Sequence, residues 1–306
     1  MKPLVIDILI VNYNCVTYLQ TLLDTLIHEK CAVISRRCEY EITVIDNHSS
    51  DGSASMVETQ YPDIRLIPRA SNDGYAAAVN EGLAATRNRE ILLLNSDVRI
   101  TPQAVSALAR IWERLEYPGI VAPLHFEEDG FPQLTWGNKP TLATEKRRQK
   151  LDAAARRRES WVKRELLAEG CRTRQVDWVS GSCMFFPRST VEEVGPWDQN
   201  FFLFFEDIDW CLQARGKGLL IYHTSEVHVK HTHGASMDED PDLAEMEYRR
   251  SQCYFTKKYY GGMNLFQLRL YLTAKQLKRW IQGRWSGFDR GTSYQILREV
   301  WRKPGM

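Results

Sequence analysis

The chain has 306 residues, 43% of them hydrophobic, so it is long enough for one large domain with additions or for two domains. Its seven cysteines are odd in number and form no Cys-x-x-Cys pair, which argues against a disulfide framework or a structural zinc site and favours a reducing cytoplasm. Every apolar stretch is too short to span a bilayer, so we expect neither a signal peptide nor an integral membrane protein.

The net charge of +1 hides two basic segments. Residues 139–175 carry 12 Lys and Arg against 5 Asp and Glu, and residues 263–303 carry 9 against 2. Segments of this kind either attract an anionic partner or are solvated helix faces, and both interpretations stay open here. We expect no nucleic-acid partner.

Short β-branched runs alternate with helical patterns in the first third of the chain. Strands are predicted at 5–11, 41–46, 64–68 and 91–95, and helices near 16–28, 52–60, 74–87 and 102–115. This alternation predicts a wound, mostly parallel α/β sheet flanked by helices. Ligands of such sheets bind beyond the carboxyl ends of the strands, where polar residues follow in three places. These are Asn12-Tyr13-Asn14, Asp46-Asn47 and Asn95-Ser96-Asp97.

The rest of the chain is less regular. Residues 145–169 are rich in Ala, Arg and Glu without Gly or Pro, which predicts an exposed helical insertion. Strand character returns at 176–187 and again at 219–230. A helix is expected over 241–260, ending at Gly261-Gly262.

An acidic segment follows directly on an aromatic run. Glu206, Asp207 and Asp209 come after four phenylalanines within residues 201–205. A carboxylate at the edge of an apolar wall has a raised proton affinity, which suits a general base. The alternative is a buried aromatic run that leads into a helix with an acidic first turn.

Two further carboxylates stand at strand ends. Asp46 can accept the imide N–H of uracil or thymine, or it is simply a turn residue. Asp97 lies two residues beyond Asn95, and hard oxygen ligands of this kind can hold Mg²⁺ or Mn²⁺ against a diphosphate. Downstream histidines, His231 among them, would suit the same ion. The chain has no Gly-x-Gly-x-x-Gly and no Gly-x-x-x-x-Gly-Lys, which argues against a dehydrogenase and an NTPase.

Seven blocks in one order over about residues 5–260 resemble family 2 glycosyltransferases, within which the rhamnosyltransferase-like branch is the most similar. The blocks are DILIVNYN (7–14), VIDNHSSDGS (44–53), NDGYAAAVNEG (72–82), LLLNSDV (92–98), WVSGSCM (178–184), PWDQNFFLFFEDID (196–209) and HTHGAS (231–236). The last block also contains His233, which is easily confused with His231.

The resemblance implies a GT-A fold and an inverting transfer from a nucleoside-diphosphate sugar. Asp46 would face the base, and a glycine at 74 would let the backbone approach the ligand. Asp97 and His231 would hold Mg²⁺ or Mn²⁺, although Asn95 stands where many relatives carry an Asp. Asp207 matches the base, with Glu206 as the alternative. The nucleotide-sugar residues would be Asn12, Tyr13, Asn14, Asp46, Asn47, Asn72, Gly74, Asn80 and Asn95. The acceptor-side residues would be Trp178, Gly181 and Asp209, and for Asp209 a structural role is the alternative.

The expected domains are a catalytic domain at 1–262 and a basic helical tail at 263–306. Within the first, 1–123 would bind the nucleotide sugar and 124–262, with the insertion at 139–175, would serve acceptor and catalysis. The tail has an apolar stripe (Phe266, Leu270, Leu277, Ile281) beside Trp280 and Trp285, with basic residues interspersed. Such a helix lies in a membrane interface, or packs on the catalytic domain or on a second subunit in a homodimer.

The expected enzyme transfers a sugar, with dTDP-L-rhamnose as the favoured donor, to a glycan acceptor. The favoured acceptor is a saccharide linked to a polyprenyl diphosphate, in the synthesis of a surface polysaccharide. We expect a peripheral enzyme at the cytoplasmic face of the cell membrane. Alternatives are a transferase for another UDP-, GDP- or dTDP-sugar, a nucleotidyltransferase, and a non-catalytic relative that binds sugar nucleotides.

Overall fold

A computed structural model of the chain describes residues 4–28, 38–232, 241–283 and 290–302. The strands are β1 (Leu4–Asn12), β2 (Cys38–Asp46), β3 (Arg65–Pro68), β4 (Glu90–Asn95), β5 (Val98–Arg99), β6 (Ile120–Phe126), β7 (Trp136–Gly137), β8 (Arg174–Gln175), β9 (Trp178–Val179), β10 (Cys183–Pro187) and β11 (Ile221–His231). The helices are α1 (Val16–His28), α2 (Ser53–Gln60), α3 (Tyr75–Ala85), α4 (Pro102–Arg114), α5 (Leu142–Arg156), α6 (Ser160–Gly170), α7 (Arg188–Val194), α8 (Glu206–Gly216), α9 (Pro241–Gly283) and α10 (Arg290–Trp301).

One large sheet organises the domain. Its strand order is β3-β2-β1-β4-β10-β6-β11-β5, with β8 paired to β11, while β7 and β9 form a separate pair. The first four strands are parallel, and β10 runs antiparallel to β4. Asn12 is in register with Asp46, and Val11 with Asn95. The predicted wound, mostly parallel sheet is confirmed, and its polar strand ends lie side by side.

The core has two apolar layers, one on each face of the sheet. Along β1, Ile6, Ile8 and Ile10 belong to one layer, whereas Leu9 and Val11 belong to the other. This alternation follows from the two-residue period of a strand. Burial of each such side chain contributes about 1.5–3 kcal/mol, so the sheet is a rigid base for the loops at its carboxyl edge.

The predicted insertion forms two helices, α5 and α6, but they are not simply exposed. Leu151, Val162 and Leu166 are buried in a small apolar cluster with Phe131. Glu145 is also buried, although it lies in the first turn of α5. One face of this basic segment is therefore packed on the domain, and only the other face is solvated.

The C-terminal helix α9 is interrupted at Gly261, whose φ of 79° and ψ of −178° are not helical. The predicted helix end at Gly261 is thus confirmed, and a second helical segment follows to residue 283. That segment packs against α10 through Leu265, Leu268 and Leu272. No helix in the described ranges is long and apolar enough to cross a membrane. His233, and Trp285 of the predicted tail stripe, lie outside the described residues.

Candidate active site

Asn12 and Asp46 form a rigid polar corner where β1 and β2 end. Nδ2 of Asn12 donates to Oδ1 of Asp46 at 2.9 Å, and the backbone N–H of Ser49 donates to Oδ2 at 2.9 Å. Asn14 stands at a φ of 48°, and its Oδ1 accepts the backbone N–H of Ser50 at 2.8 Å. Tyr13 beside them is half-buried. The Asp46 carboxylate is therefore oriented in advance, and each oxygen keeps a lone pair for a further donor.

Asn47 and Asn72 organise the entry to α3. Nδ2 of Asn47 donates to Oδ1 of Asn72 at 2.8 Å, and the same oxygen accepts the backbone N–H of Gly74 at 3.0 Å. Arg69 donates to Oδ1 of Asn47 and also pairs with Glu81 at 2.8 Å. These bonds bring the predicted residues 47, 72 and 74 together beside the corner at Asp46.

Gly74 is needed for a close approach within the protein. Its φ is +94°, and a Cβ there would lie 2.4 Å from the carbonyl oxygen of Phe202. The backbone N–H of Tyr75 donates to that same oxygen at 2.8 Å. A glycine is therefore required here by the aromatic run, and the expected approach of its backbone to a ligand remains a prediction.

Asn80 is also a link between the two halves. Its Nδ2 donates to the carbonyl of Trp197 at 2.9 Å, and its Oδ1 accepts the backbone N–H of Trp197 at 2.8 Å. Both ends of the amide are used within the protein. Contact between Asn80 and a ribose or diphosphate remains a prediction, while its structural role is to hold α3 against the chain that leads to the acidic segment.

The acidic segment begins at two strained residues. Phe204 and Phe205 both have φ near +68°, in the left-handed region that L side chains rarely adopt. Strain of this kind costs about 1–3 kcal/mol per residue and is found at functional sites. The ring of Tyr248 packs on both, with centroid distances of 5.5 and 5.3 Å. Helix α8 then begins at Glu206, so the predicted helix with an acidic first turn is confirmed.

Asp207 is half-buried and fixed in place. Its Oδ2 accepts the backbone N–H of Gly181 at 2.9 Å, and its Oδ1 accepts the N–H of Ile208 at 2.7 Å. Burial raises the pKa of Asp207, and those hydrogen bonds and the positive charge of Arg148 partly oppose the rise. A carboxylate that is oriented, reachable and of raised proton affinity has the properties of a general base.

Glu206 differs from its neighbour. It is only 5% exposed, and its Oε2 has no hydrogen-bond partner among the described residues. Burial raises the pKa of Glu206 well above its usual range, and the charge of Asp207 raises it further. Burial beside another acid favours the protonated form of Glu206, so of the two candidates Asp207 is the better placed to take a proton.

Asp209 is held inside the protein. Its carboxylate is wholly buried and lies 2.8 Å from Nζ of Lys258, while accepting hydrogen bonds from Tyr259 at 2.9 Å and Gln213 at 2.7 Å. These bonds tie α8 to α9 and fit the structural alternative, while an acceptor-side role remains a prediction. Trp178, another of the predicted acceptor-side residues, is also buried, with 7% exposure. Its indole N–H donates to the carbonyl of Asn138.

Tyr75 connects the predicted base with the predicted metal ligand. Its hydroxyl donates to the carbonyl of Gly181 at 3.0 Å. Burial raises the pKa of Tyr75, and the charges of Glu206, Asp207 and Asp97 add to the effect. Since all three carboxylates act on one phenol, the acidic segment and the end of β4 border the same site. The sequence patterns did not single out Tyr75, although this residue follows Gly74 within the block at 72–82.

Asp97 and His231 face each other across the sheet edge, with Oδ1 of Asp97 3.3 Å from Nε2 of His231. Gln133 sets the tautomer of this histidine: its Nε2 donates to the His231 carbonyl, and its Oε1 lies 2.9 Å from Nδ1. Because that oxygen can only accept, a ring proton sits on Nδ1, and Nε2 is the nitrogen that faces Asp97. A carboxylate oxygen and an imidazole nitrogen in this arrangement fit a divalent cation.

Within the described part of the chain, no three His, Cys, Asp or Glu side chains converge on one point. A cation here would therefore take no more than two ligands of these four residue types, as suits Mg²⁺, which keeps waters and substrate phosphates in its shell. Asn95 adds to the fit, because its buried Oδ1 has no hydrogen-bond partner among the described residues. An amide oxygen is a hard ligand like a carboxylate, without the charge.

Two other residues near the site were missed. Gln133 lies 98 residues from His231 in sequence, and nothing in its local pattern marks it. Arg148 of the insertion hydrogen-bonds Glu145 at 3.0 Å and the hydroxyl of Tyr248, beside the strained phenylalanines. The position of Arg148 near the site follows from the packing of helix α5 next to the acidic segment, which the local sequence does not indicate.

Known proteins resemble this chain in sequence and in fold. A family model described as Glycosyl transferase family 2 matches residues 7–195. An N-acetylglucosaminyl-diphospho-decaprenol L-rhamnosyltransferase of Mycobacterium tuberculosis is 27% identical over 247 residues, which are 76% of this chain and 80% of that protein. The low-salt glycan biosynthesis hexosyltransferase Agl10 of Haloferax volcanii is 27% identical over 195 residues, which are 62% of this chain and 58% of that protein.

Among solved structures, the mannosyltransferase PcManGT from Pyrobaculum calidifontis, in complex with GDP-Man and Mn²⁺, has a TM-score of 0.56. The match covers 98% of this chain and 86% of that one at 15% identity, so it bears on the fold alone. It confirms the predicted GT-A fold with a helical C-terminal extension, and the mycobacterial relative agrees with the predicted rhamnosyltransferase-like branch. Because the family model spans more than half of the sequence, the chain belongs to glycosyl transferase family 2.

Proposed function

We propose that this glycosyltransferase works by single-step inversion with Asp207 as the base. An acceptor hydroxyl oxygen bonds to the anomeric carbon of the donor sugar as the bond from that carbon to the diphosphate oxygen breaks. The proton of the hydroxyl goes to Asp207, and the nucleoside diphosphate leaves with the electron pair. The observation that carries the proposal is the half-buried Asp207 carboxylate, oriented by Gly181 and raised in pKa beside a neutral Glu206.

The donor would lie along the carboxyl ends of β1, β2 and β4. Asp46 would accept the imide N–H of the base, and Asp97 and His231, with Asn95, would hold Mg²⁺ or Mn²⁺. Such an ion supplies charge stabilisation to the departing diphosphate. Gln133 supports this by keeping His231 in the tautomer that leaves Nε2 for a ligand.

The favoured donor is dTDP-L-rhamnose and the favoured acceptor a saccharide linked to a polyprenyl diphosphate, in surface polysaccharide synthesis. The name of the mycobacterial relative supports the L-rhamnosyl group and an acceptor linked to a polyprenyl diphosphate. Such an acceptor would be met by a peripheral enzyme at the cytoplasmic face of the membrane. A transferase for another UDP-, GDP- or dTDP-sugar is the alternative.

A thermal-shift panel of dTDP-, UDP- and GDP-sugars, each with and without Mn²⁺, tests the donor. A ligand that binds only the folded protein raises Tm by simple linkage, so the true donor gives the largest shift. Release of the nucleoside diphosphate that requires N-acetylglucosaminyl-diphospho-polyprenol then tests transfer. A donor that stabilises the protein but is never turned over with any lipid-linked acceptor would instead indicate a non-catalytic binder.

A further inference from the structure

An apolar stripe on the second half of α9 faces outward. Met263, Phe266, Leu270, Leu277 and Trp280 are between 46% and 70% exposed. Their spacings of three, four and seven residues put them on one side of the helix. From residue 263 to 280 the stripe is about 26 Å long at 1.5 Å per residue. Exposed apolar patches of this size mark interaction surfaces.

Trp301 of α10 widens this stripe. It is 45% exposed, its ring lies 6.4 Å from that of Phe266, and its indole N–H donates to Oγ1 of Thr273. The opposite side of α9 is already packed, with Leu265, Leu268 and Leu272 against α10. The helix is therefore held in place through this packed face.

The charge around the stripe distinguishes between two possible binding partners, a second copy of the chain and a membrane surface. Residues 263–303 carry 9 Lys and Arg against 2 Asp and Glu, so a second copy that met this face with its own would bring two strongly positive segments together. An anionic bilayer surface attracts the same basic residues and accepts the apolar side chains at the boundary between headgroups and acyl chains. Charge complementarity thus favours a membrane over self-association.

The first half of α9 contacts the acidic segment directly. Tyr248 packs on Phe204 and Phe205, Oγ of Ser251 donates to the carbonyl of Leu203 at 2.7 Å, and Lys258 pairs with Asp209. The stripe begins two residues beyond the break at Gly261. A surface that bound the stripe would therefore lie at a fixed distance from the segment that carries the base.

We propose that Met263, Phe266, Leu270, Leu277, Trp280 and Trp301 form a docking face for an anionic membrane surface. The face lies in the headgroup region parallel to the bilayer and positions the acidic segment relative to it. Its purpose rests on the proposed function, because a lipid-linked acceptor is presented at that surface. The docking itself requires no sugar transfer.

Flotation of the full chain with vesicles tests the proposal. We expect binding to vesicles of equal parts phosphatidylglycerol and phosphatidylcholine, and much weaker binding to pure phosphatidylcholine. The triple variant Phe266→Ser, Leu270→Ser, Leu277→Ser lowers the partition coefficient at least tenfold. The matched control, Leu220→Ser with Leu243→Ser, removes exposed leucines elsewhere and leaves binding unchanged. Circular dichroism shows that each variant is folded.

Three results would overturn the proposal. They are absence of wild-type binding to anionic vesicles, equal binding by the triple variant, and a wild-type dimer that the triple variant converts to monomer. Turnover of a water-soluble acceptor analogue is measured in parallel, and the triple variant retains it. If the protein binds vesicles but does not transfer sugar, the result counts against the proposed function alone. If it transfers sugar but does not bind vesicles, the result counts against the docking face alone.

Discussion

The carboxylate of Asp207 accepts the backbone N–H of Gly181 at 2.9 Å, and a Cβ on that glycine would lie 3.3 Å from the Cβ of Asp207. The turn before β10 and the start of α8 therefore meet with no room to spare. One carboxylate oxygen is held by the protein core, and the side chain still keeps partial access to solvent. This contact gives the acid an orientation that its neighbour Glu206 lacks.

Replacing Asp207 by Asn removes the proton acceptor while its amide oxygen can still accept the Gly181 N–H. We expect kcat to fall by about 10²–10⁴, the usual contribution of a general base, with donor affinity nearly unchanged. Nucleotide release and calorimetric titration of the donor measure the two quantities. The control Glu206→Gln keeps most activity, because the wild-type side chain is already neutral. Turnover of Asp207→Asn within tenfold of the wild type contradicts the assignment.

The pH dependence of kcat/KM follows from the same residue. A base must be deprotonated, so activity is lost as pH falls through the pKa of Asp207, which burial raises above that of an ordinary Asp. Arg148 lowers this pKa, and Arg148→Gln should therefore move the acidic limb of the profile to higher pH. Arg148→Lys keeps the charge and should restore the limb. If both variants leave the limb in place, Arg148 does not act on the base.

The raised pKa of Glu206 predicts that stability decreases as pH rises, whereas activity is lost as pH falls. Its folded-state pKa is raised, so its contribution to the free energy of unfolding is fully present at low pH and is lost as pH rises through that pKa. Glu206→Gln cannot ionise and should escape this loss. Urea unfolding from mildly acidic to alkaline pH should thus show the variant gaining on the wild type as pH increases above the pKa of an ordinary Glu. Parallel curves for the two proteins would mean that Glu206 is not buried in its neutral form.

Local patterns in the sequence predicted the strands and the polar residues that follow them. The apolar runs around 5–11 and 91–95 form buried strands, and the acid cluster at 206–209 does begin a helix. These features depend on residues near one another in sequence. The period of the side chains and the chemistry of a helix start are therefore enough to find them.

The side-chain partners could not be predicted in the same way. Gln133 meets His231 across 98 positions, and Tyr248 meets Glu145 of the insertion across 103. The sequence left Asp209 as structural or acceptor-facing, because its place in the motif does not reveal Lys258, which lies 49 positions away and pairs with it. Contacts over such separations are determined by how helices pack on the sheet, and no periodicity in the chain encodes them.

Gly74 and Gly52 form a matched pair for testing the close approach to Phe202. Both have φ near +90°, but a Cβ at Gly52 meets nothing within 4 Å, whereas one at Gly74 meets the Phe202 carbonyl at 2.4 Å. Gly52→Ala should cost about 1 kcal/mol from backbone strain, and Gly74→Ala clearly more. Equal losses in the free energy of unfolding, measured in urea, would show that the backbone of Phe202 moves away from the added Cβ. We also expect lower kcat for Gly74→Ala only, because the acidic segment must shift.

Gln133 offers a test of the metal site that does not depend on turnover. Its Oε1 holds the ring proton of His231 on Nδ1, and loss of such a supporting hydrogen bond typically weakens metal binding by about 10–100-fold. Gln133→Leu should lower the affinity for Mn²⁺ by that factor in calorimetric titration with nucleoside diphosphate present. Gln133→Glu keeps an acceptor oxygen and should bind Mn²⁺ within a few-fold of the wild type. If Gln133→Leu binds Mn²⁺ as the wild type does while Asp97→Asn does not, His231 is not a ligand. The cation would then be held by Asp97 and the diphosphate alone.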